Sequence, residues 1–180
     1  AENLDRAMEL FEASQHSTYS VAWIDCLASG AALGRSVVIL GEHAAADRLS
    51  SGDQPAPLQR HKRKTKRVPV DLPGFVLNRV SVGLFNQFYY RMQRPGRTVV
   101  DFEPVFYPLD ALHDWNRIYG RKGFVQYQCV LPLLASRTGL VELLTDIARA
   151  GQGSFLAVLK RLGPESIGYL YFPMEGYTLA

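Results

Sequence analysis

Two strand-like runs near the start of the chain restrict its fold more than any other feature of the sequence. YSVAWIDCL (19–27) and RSVVILGEHA (35–44) are both rich in β-branched and aromatic residues. A short segment that contains glycine joins them. The pair therefore predicts an antiparallel β-hairpin with a loose loop.

The remaining apolar patterns alternate between strand and helix along the chain. Helical spacing of apolar residues, ended in several places by glycine, predicts helices at 2–14, 75–93, 108–120 and 136–151. Strand-like runs begin at residue 98 and cover 123–132, 154–163 and 167–173, of which the last two form a predicted antiparallel pair. This order predicts an α+β fold, a mainly antiparallel sheet flanked by helices.

Length and composition predict one compact domain over residues 1–180. A chain of 180 residues with 47% hydrophobic residues can bury a core without disulfides or a metal, and its histidines lack metal-ligand spacing. No stretch approaches the ~20 apolar residues of a spanning helix, so we expect a cytoplasmic protein, at most peripheral to a membrane. Because the chain starts without methionine and stops in the strand-like GYTLA, we expect a piece excised from a longer protein.

A compositional break at 50–73, rich in proline, predicts a mobile insert. Within it, RHKRKTKR (60–67) holds six of the twenty lysines and arginines, so the rest of the chain is slightly acidic. Three interpretations of this run remain open. It is a solvated loop, a nucleic-acid contact, or a contact with anionic lipid head groups.

Polar residues within apolar strand patterns are the candidate binding residues. In GFVQYQCVLP (123–132), alternation places Gln126 and Gln128 on one side, facing either water or a polar cavity suited to sugar hydroxyls. In SFLAVLKRL (154–162), Lys160 shares a face with Leu156 and Val158. Its ammonium either reaches solvent at the strand end or binds an anionic substrate.

Motifs that mark a complete catalyst are missing from the sequence. It contains no glycine-rich phosphate or dinucleotide loop, no zinc-protease helix and no nucleophile elbow. No catalytic residue is therefore assigned, and by itself the chain does not have the features of a complete catalyst.

Several segments together resemble, in order, the substrate domain of FAD-linked oxidases of the vanillyl-alcohol-oxidase superfamily. The resemblance covers most of the chain outside 50–73 and is most specific from Tyr107 to Pro132. The segments are YSVAWID, LGRSVVILGEHA, FYPLDALHDWNRIYGRKGFVQYQCVLP, GQGSFLAVLKRLGP and YFPMEGYTLA.

The resemblance implies a two-domain flavoenzyme in which another domain, absent from this chain, binds most of the FAD, so we expect this chain alone to be inactive. The domain present here would hold the substrate, and the alcohol group of the substrate would pass hydride to the flavin. The resemblance extends to members that oxidise the 2′-hydroxyl of a pentose carried on a polyprenyl phosphate. Two groups of residues match the family pattern: Gln126, Gln128, Lys160, Leu156 and Val158 as substrate pocket, and Tyr19, Ser20 and Trp23 as the strand near the flavin.

The sequence leaves two other classes of function open. One is a binding module without enzymatic activity that uses the basic run 60–67 to contact nucleic acid or anionic lipid. The other is a structural or dimerising domain, indicated by the strongly apolar helical pattern at 75–93. Some relatives of the resembled family carry tyrosine and cysteine where this chain has Phe106 and Ala180, so the resemblance does not define the sugar.

Overall fold

The structure is a computed structural model that describes residues 1–56, 58–59, 65–164, 168 and 174–180. The described chain divides into two compact units. Unit 1 comprises Ala1–Glu42, Leu77–Arg94 and Gln126–Ala180, and unit 2 comprises His43–Val76 and Pro95–Val125.

Unit 1 is built on a five-stranded sheet in which every neighbouring pair is antiparallel. The strands are β1 (Tyr19–Ile24), β2 (Ser36–Gly41), β5 (Cys129–Pro132), β6 (Val158–Leu162) and β7 (Gly176–Leu179). Their spatial order is β2-β1-β6-β7-β5.

Three helices accompany this sheet: α1 (Leu4–Ala13), α2 (Arg79–Met92) and α4 (Leu133–Ala150). Local sequence explains their ends. The Asn3 side chain accepts a hydrogen bond from the backbone of Arg6 at the start of α1, and Asn78 and Ser81 form a capping box at α2. Gly151 ends α4 in the left-handed conformation (φ 68°), which favours glycine.

The hydrophobic core lies between one face of the sheet and helices α1 and α4. Ala22, Leu159, Leu179 and Cys129 form one row across four strands, and the first two have no exposed surface. The helices contribute the opposing side chains of this core, among them Leu4, Phe11, Leu140 and Leu144. Burying this apolar face is the main source of stability for the fold.

A buried carboxylate helps to hold α2 in unit 1. Asp25 is only 2% exposed and accepts hydrogen bonds from Arg35 Nη2 at 2.6 Å and from Asn86 Nδ2 at 2.8 Å. Asn86 is the buried residue at the middle of α2, and its other polar atom, Oδ1, has no hydrogen-bond partner among the described residues. The aromatic rings of Trp23 and Tyr89, 4.6 Å apart, add a second contact between β1 and α2.

Unit 2 has short elements only, as far as its residues are described. These are α3 (Phe102–Phe106), β3 (Lys66–Arg67) and β4 (Leu112–His113), of which the two strands pair in parallel. Rings of Trp115, Tyr119 and Phe124 cluster nearby, the closest pair having centroids 4.4 Å apart.

The structure confirms the α+β class, the β1–β2 hairpin and the helices predicted at 2–14, 75–93 and 136–151, each with adjusted ends. The predicted helix at 108–120 is wrong: two 3₁₀ turns flank β4, and Asp114 with a φ of 56° interrupts helical geometry. Gly120 still ends the segment with a positive φ. The strand predicted from residue 98 is replaced by α3, and that predicted at 123–132 begins only at Cys129.

Some predictions fall partly outside the described residues. Of the strand predicted at 167–173 only Gly168 is described, so its predicted pairing with 154–163 stays a prediction. Among the described residues, β6 pairs with β1 and β7. Of the basic run 60–67 only residues 65–67 are described, so the predicted mobility of the insert stays a prediction. The prediction of a single domain over 1–180 also stays a prediction.

Candidate functional site

Three of the predicted pocket residues, Gln128, Val158 and Lys160, fall on the sheet face opposite α1 and α4, which we call the site face. Strand register places Lys160, Thr178 and Val130 in one row across β6, β7 and β5. Side chains in such a row point to the same side of a sheet. Lys160 is exposed, and among the described residues its ammonium has no hydrogen-bond or ion-pair partner.

Gln128 joins this row although it lies just before β5. Its Nε2 donates a hydrogen bond to Thr178 Oγ1 at 3.2 Å. Thr178 is only 1% exposed and pairs directly with Lys160. The structure thus assembles an amide, a hydroxyl and an ammonium on three adjacent segments of one sheet face.

The other three predicted substrate residues lie at different positions relative to Gln128, Thr178 and Lys160. Val158 lies on β6 two residues before Lys160, on the same face, and pairs with Trp23 of β1. Leu156 lies in a bend before β6, where its backbone N–H donates to Ser154 Oγ at 2.9 Å. Gln126 is exposed and lies outside any regular element. The predicted alternation from Phe124 therefore does not apply to Gln126, because β5 starts three residues later.

The three predicted flavin-side residues occupy β1. Tyr19 is 37% exposed at the start of the strand, next to the exposed Ile39 of β2 on the site face. Ser20 alternates to the opposite side. Trp23 is 7% exposed, its indole N–H donates to the carbonyl of Phe155, and its ring lies against Tyr89. Of the three, Tyr19 is the most exposed, whereas Trp23 is already covered by this chain.

Behind the site face, a polar network fixes the β6–β7 register. Arg161 and Tyr177 form the strand pair next to Lys160 and Thr178. Their side chains point to the opposite face of the sheet, on which α1 packs, and both donate hydrogen bonds to Glu12 of α1. Burial acts to raise the pKa of Glu12, but the hydrogen bonds from Tyr177 and Arg161 outweigh it, and the pKa lies below its usual value. Burial, reinforced by Glu12, raises the pKa of Tyr177, which therefore remains a neutral donor.

The two cysteines do not add chemistry to the site. Cys26 is 3% exposed, and burial raises the pKa of its thiol. The thiol donates to the backbone carbonyl of Ser154, and its sulfur accepts from the backbone N–H of Ser154. Cys129 faces the core side of the sheet in the row of Leu179. Within the described ranges, no group of three or more histidine, cysteine or acidic side chains is arranged to hold a metal ion.

Unit 2 contains a separate open concavity of about 450 Å³. None of the predicted site residues lines it. Its walls include Asp71, Asn116, Arg121 and Phe124.

Thr178 is the site residue that sequence reasoning missed. The signal available was a hydroxyl between Tyr177 and Leu179 in the strand-like run GYTLA. That pattern predicts on which side of its strand Thr178 lies, but it does not predict which residues of other strands lie beside it. Pairing with β5 and β6, each distant in sequence, brings it to Gln128 and Lys160.

Comparison with known proteins supports the resemblance noted in the sequence. No family model matches the chain. Over 163 residues, 90% of the chain, it is 35% identical to decaprenylphosphoryl-β-D-ribose oxidase of Mycolicibacterium smegmatis. It is also 29% identical, over its whole length, to an uncharacterized protein from the mprA 5′ region of Streptomyces coelicolor.

The chain is therefore related to the FAD-linked oxidases over nine-tenths of its length. It spans 35% of the length of the oxidase and 51% of the Streptomyces protein.

Proposed function

We propose that this chain is the substrate-binding part of an FAD-dependent oxidoreductase. The reaction is oxidation of a hydroxyl group on a sugar or glycosyl polyprenyl phosphate, with hydride transfer to the flavin. The relationship to decaprenylphosphoryl-β-D-ribose oxidase supports the oxidoreductase class. The observation that carries the substrate role is the row of Gln128, Thr178 and Lys160 on the site face.

The chemistry of this row suits a polyhydroxylated anion. An amide offers two donors and an acceptor, so Gln128 can bind a sugar hydroxyl while its bond to Thr178 fixes its orientation. The exposed ammonium of Lys160 can bind a phosphate or a second hydroxyl. Val158 and Leu156 would supply apolar wall next to these groups.

FAD would be bound mainly outside this chain, with Tyr19 at the open end of β1 as the contact that fits best. Bound flavin supplies the two-electron acceptor for the reaction. The residues of this chain position the alcohol and bind its polar groups. Contact of residues 60–67 with a membrane surface, and the cytoplasmic location, stay predictions.

The test uses the complete flavoprotein with Lys160→Ala, Gln128→Ala and Thr178→Val, reduced anaerobically by a pentosyl polyprenyl phosphate. We expect unchanged flavin spectra and stoichiometry in all three. We also expect the substrate concentration at half-maximal flavin bleaching to rise by about tenfold or more with Lys160→Ala, as for the loss of a charged hydrogen bond.

Arg6→Ala is the matched control, because it removes one positive charge from the exposed side of α1, which packs on the other sheet face. It should bleach like the unmodified enzyme. Unaltered bleaching in the Lys160 and Gln128 variants would remove the site face from substrate binding. Bleaching absent in the unmodified enzyme would reject this substrate class and retain the flavoprotein.

A further inference from the structure

Helix α2 exposes an apolar row to solvent along its whole length. Val80, Leu84, Phe88 and Met92 are 69%, 66%, 64% and 61% exposed. They recur every four residues, so they form a continuous row ~18 Å long on one side of the helix. Phe85, 45% exposed, widens the row. A contiguous exposed patch of this kind marks an interaction surface.

The opposite side of the same helix is firmly attached to unit 1. Val82 and Asn86 are buried there, Asn86 donates to Asp25, and Tyr89 lies on Trp23. The apolar row is thus presented by a helix that is already folded and fixed. A surface of this kind binds without the cost of ordering a flexible segment.

The segment that carries the row has only positive charges. Residues 74–100 contain four arginines and no aspartate or glutamate. Arg91 is exposed and lies on the same side, one turn after Phe88 and two turns after Leu84, and Arg94 follows the helix end. Exposed leucine and phenylalanine with arginines and no acidic group are typical of helices that lie in the plane of an anionic membrane surface.

We propose that α2 docks on an anionic lipid bilayer through Val80, Leu84, Phe88 and Met92, with Arg91 and Arg94 at the head groups. Within the described residues no helix is long and apolar enough to cross a bilayer, and the proposed contact is peripheral. The exposed row amounts to several hundred Å², less than the ~800 Å² per partner of a stable dimer. The proposal is independent of which sugar the site face binds.

The test is sedimentation of the complete protein with vesicles of phosphatidylcholine, with or without phosphatidylglycerol. We expect binding to the anionic vesicles, and a loss of about tenfold or more in affinity with Leu84→Gln/Phe88→Gln, because two large side chains no longer enter the lipid. Arg91→Gln/Arg94→Gln should weaken binding to anionic vesicles only. Leu134→Gln, at a fully exposed leucine of α4, is the matched control and should bind as the unmodified protein does.

Binding of Leu84→Gln/Phe88→Gln equal to that of the unmodified protein would overturn the proposal. Two further results would refute the proposal if vesicle binding is unchanged. A lower molar mass in light scattering would show that a second copy of the chain covers α2. Release of flavin would show that another part of the protein covers it. Should the double variant fold poorly, Phe88→Trp tests the contact directly. A blue shift of its emission on adding anionic vesicles is expected, and no shift refutes it.

Discussion

Arg35 should be among the most sensitive positions in unit 1, because it neutralises a carboxylate that has almost no access to water. Its Nε and Nη2 lie 3.0 and 2.6 Å from Asp25 Oδ2, and the two side chains are 17% and 3% exposed. Arg35→Met keeps the length of the side chain but leaves Asp25 with only Asn86 and the backbone N–H of Leu27 as donors among the described residues. Breaking a buried pair in this way costs about 3–5 kcal/mol.

For a chain of this size, that loss lowers the melting temperature by roughly 6–20 °C, measured by far-UV circular dichroism. Arg137→Met is the matched control. Arg137 contacts Asp5 with similar geometry, at 2.7 and 3.0 Å, but the side chains are 63% and 54% exposed. Because solvent screens that pair, its loss should change the melting temperature little.

A double variant separates burial of charge from loss of packing. With Asp25→Asn in the background, Arg35→Met should cost less than in the native sequence, because no carboxylate remains to be left unpaired. Equal losses for Arg35→Met and Arg137→Met would refute the reasoning. So would an unchanged cost in the Asp25→Asn background.

Three further outcomes are expected in unit 1. Gly176→Ala should prevent stable folding, because its Cβ would clash with the backbone carbonyl oxygen of Leu131 in the paired strand, and soluble yield measures this. Gly83→Ala in α2 meets no atom within 4 Å and should raise stability by about 0.5–1 kcal/mol in urea titration; a loss would show that the helix is constrained there. Glu12→Gln should make the melting temperature depend less on pH in the acid range. The pKa of Glu12 is lowered in the folded protein, so its contribution to stability is complete above the unfolded pKa and is lost as pH falls through the folded pKa. The same change of melting temperature with pH in both proteins below pH ~4.5 would contradict this.

Features that depend on local periodicity and on single residues were predictable from the sequence. Alternation in residues 19–27 and 35–44 predicted the hairpin, and helical spacing with Gly151 predicted α4 and its end. Alternation also placed Val158 and Lys160 on one face, as the structure does. These predictions succeed because φ/ψ preferences and side-chain direction act within a few residues.

Contacts between groups that are distant in sequence emerge only from the three-dimensional fold. Gln128 and Thr178 are 50 positions apart, and Asn86 and Asp25 are 61 apart. Strand pairing and helix packing set these contacts, and no local pattern encodes a register between segments so far separated. The same reason explains α2: its pattern is apolar on two sides, but only the fold shows that Asn86 faces the interior while Leu84 and Phe88 face solvent.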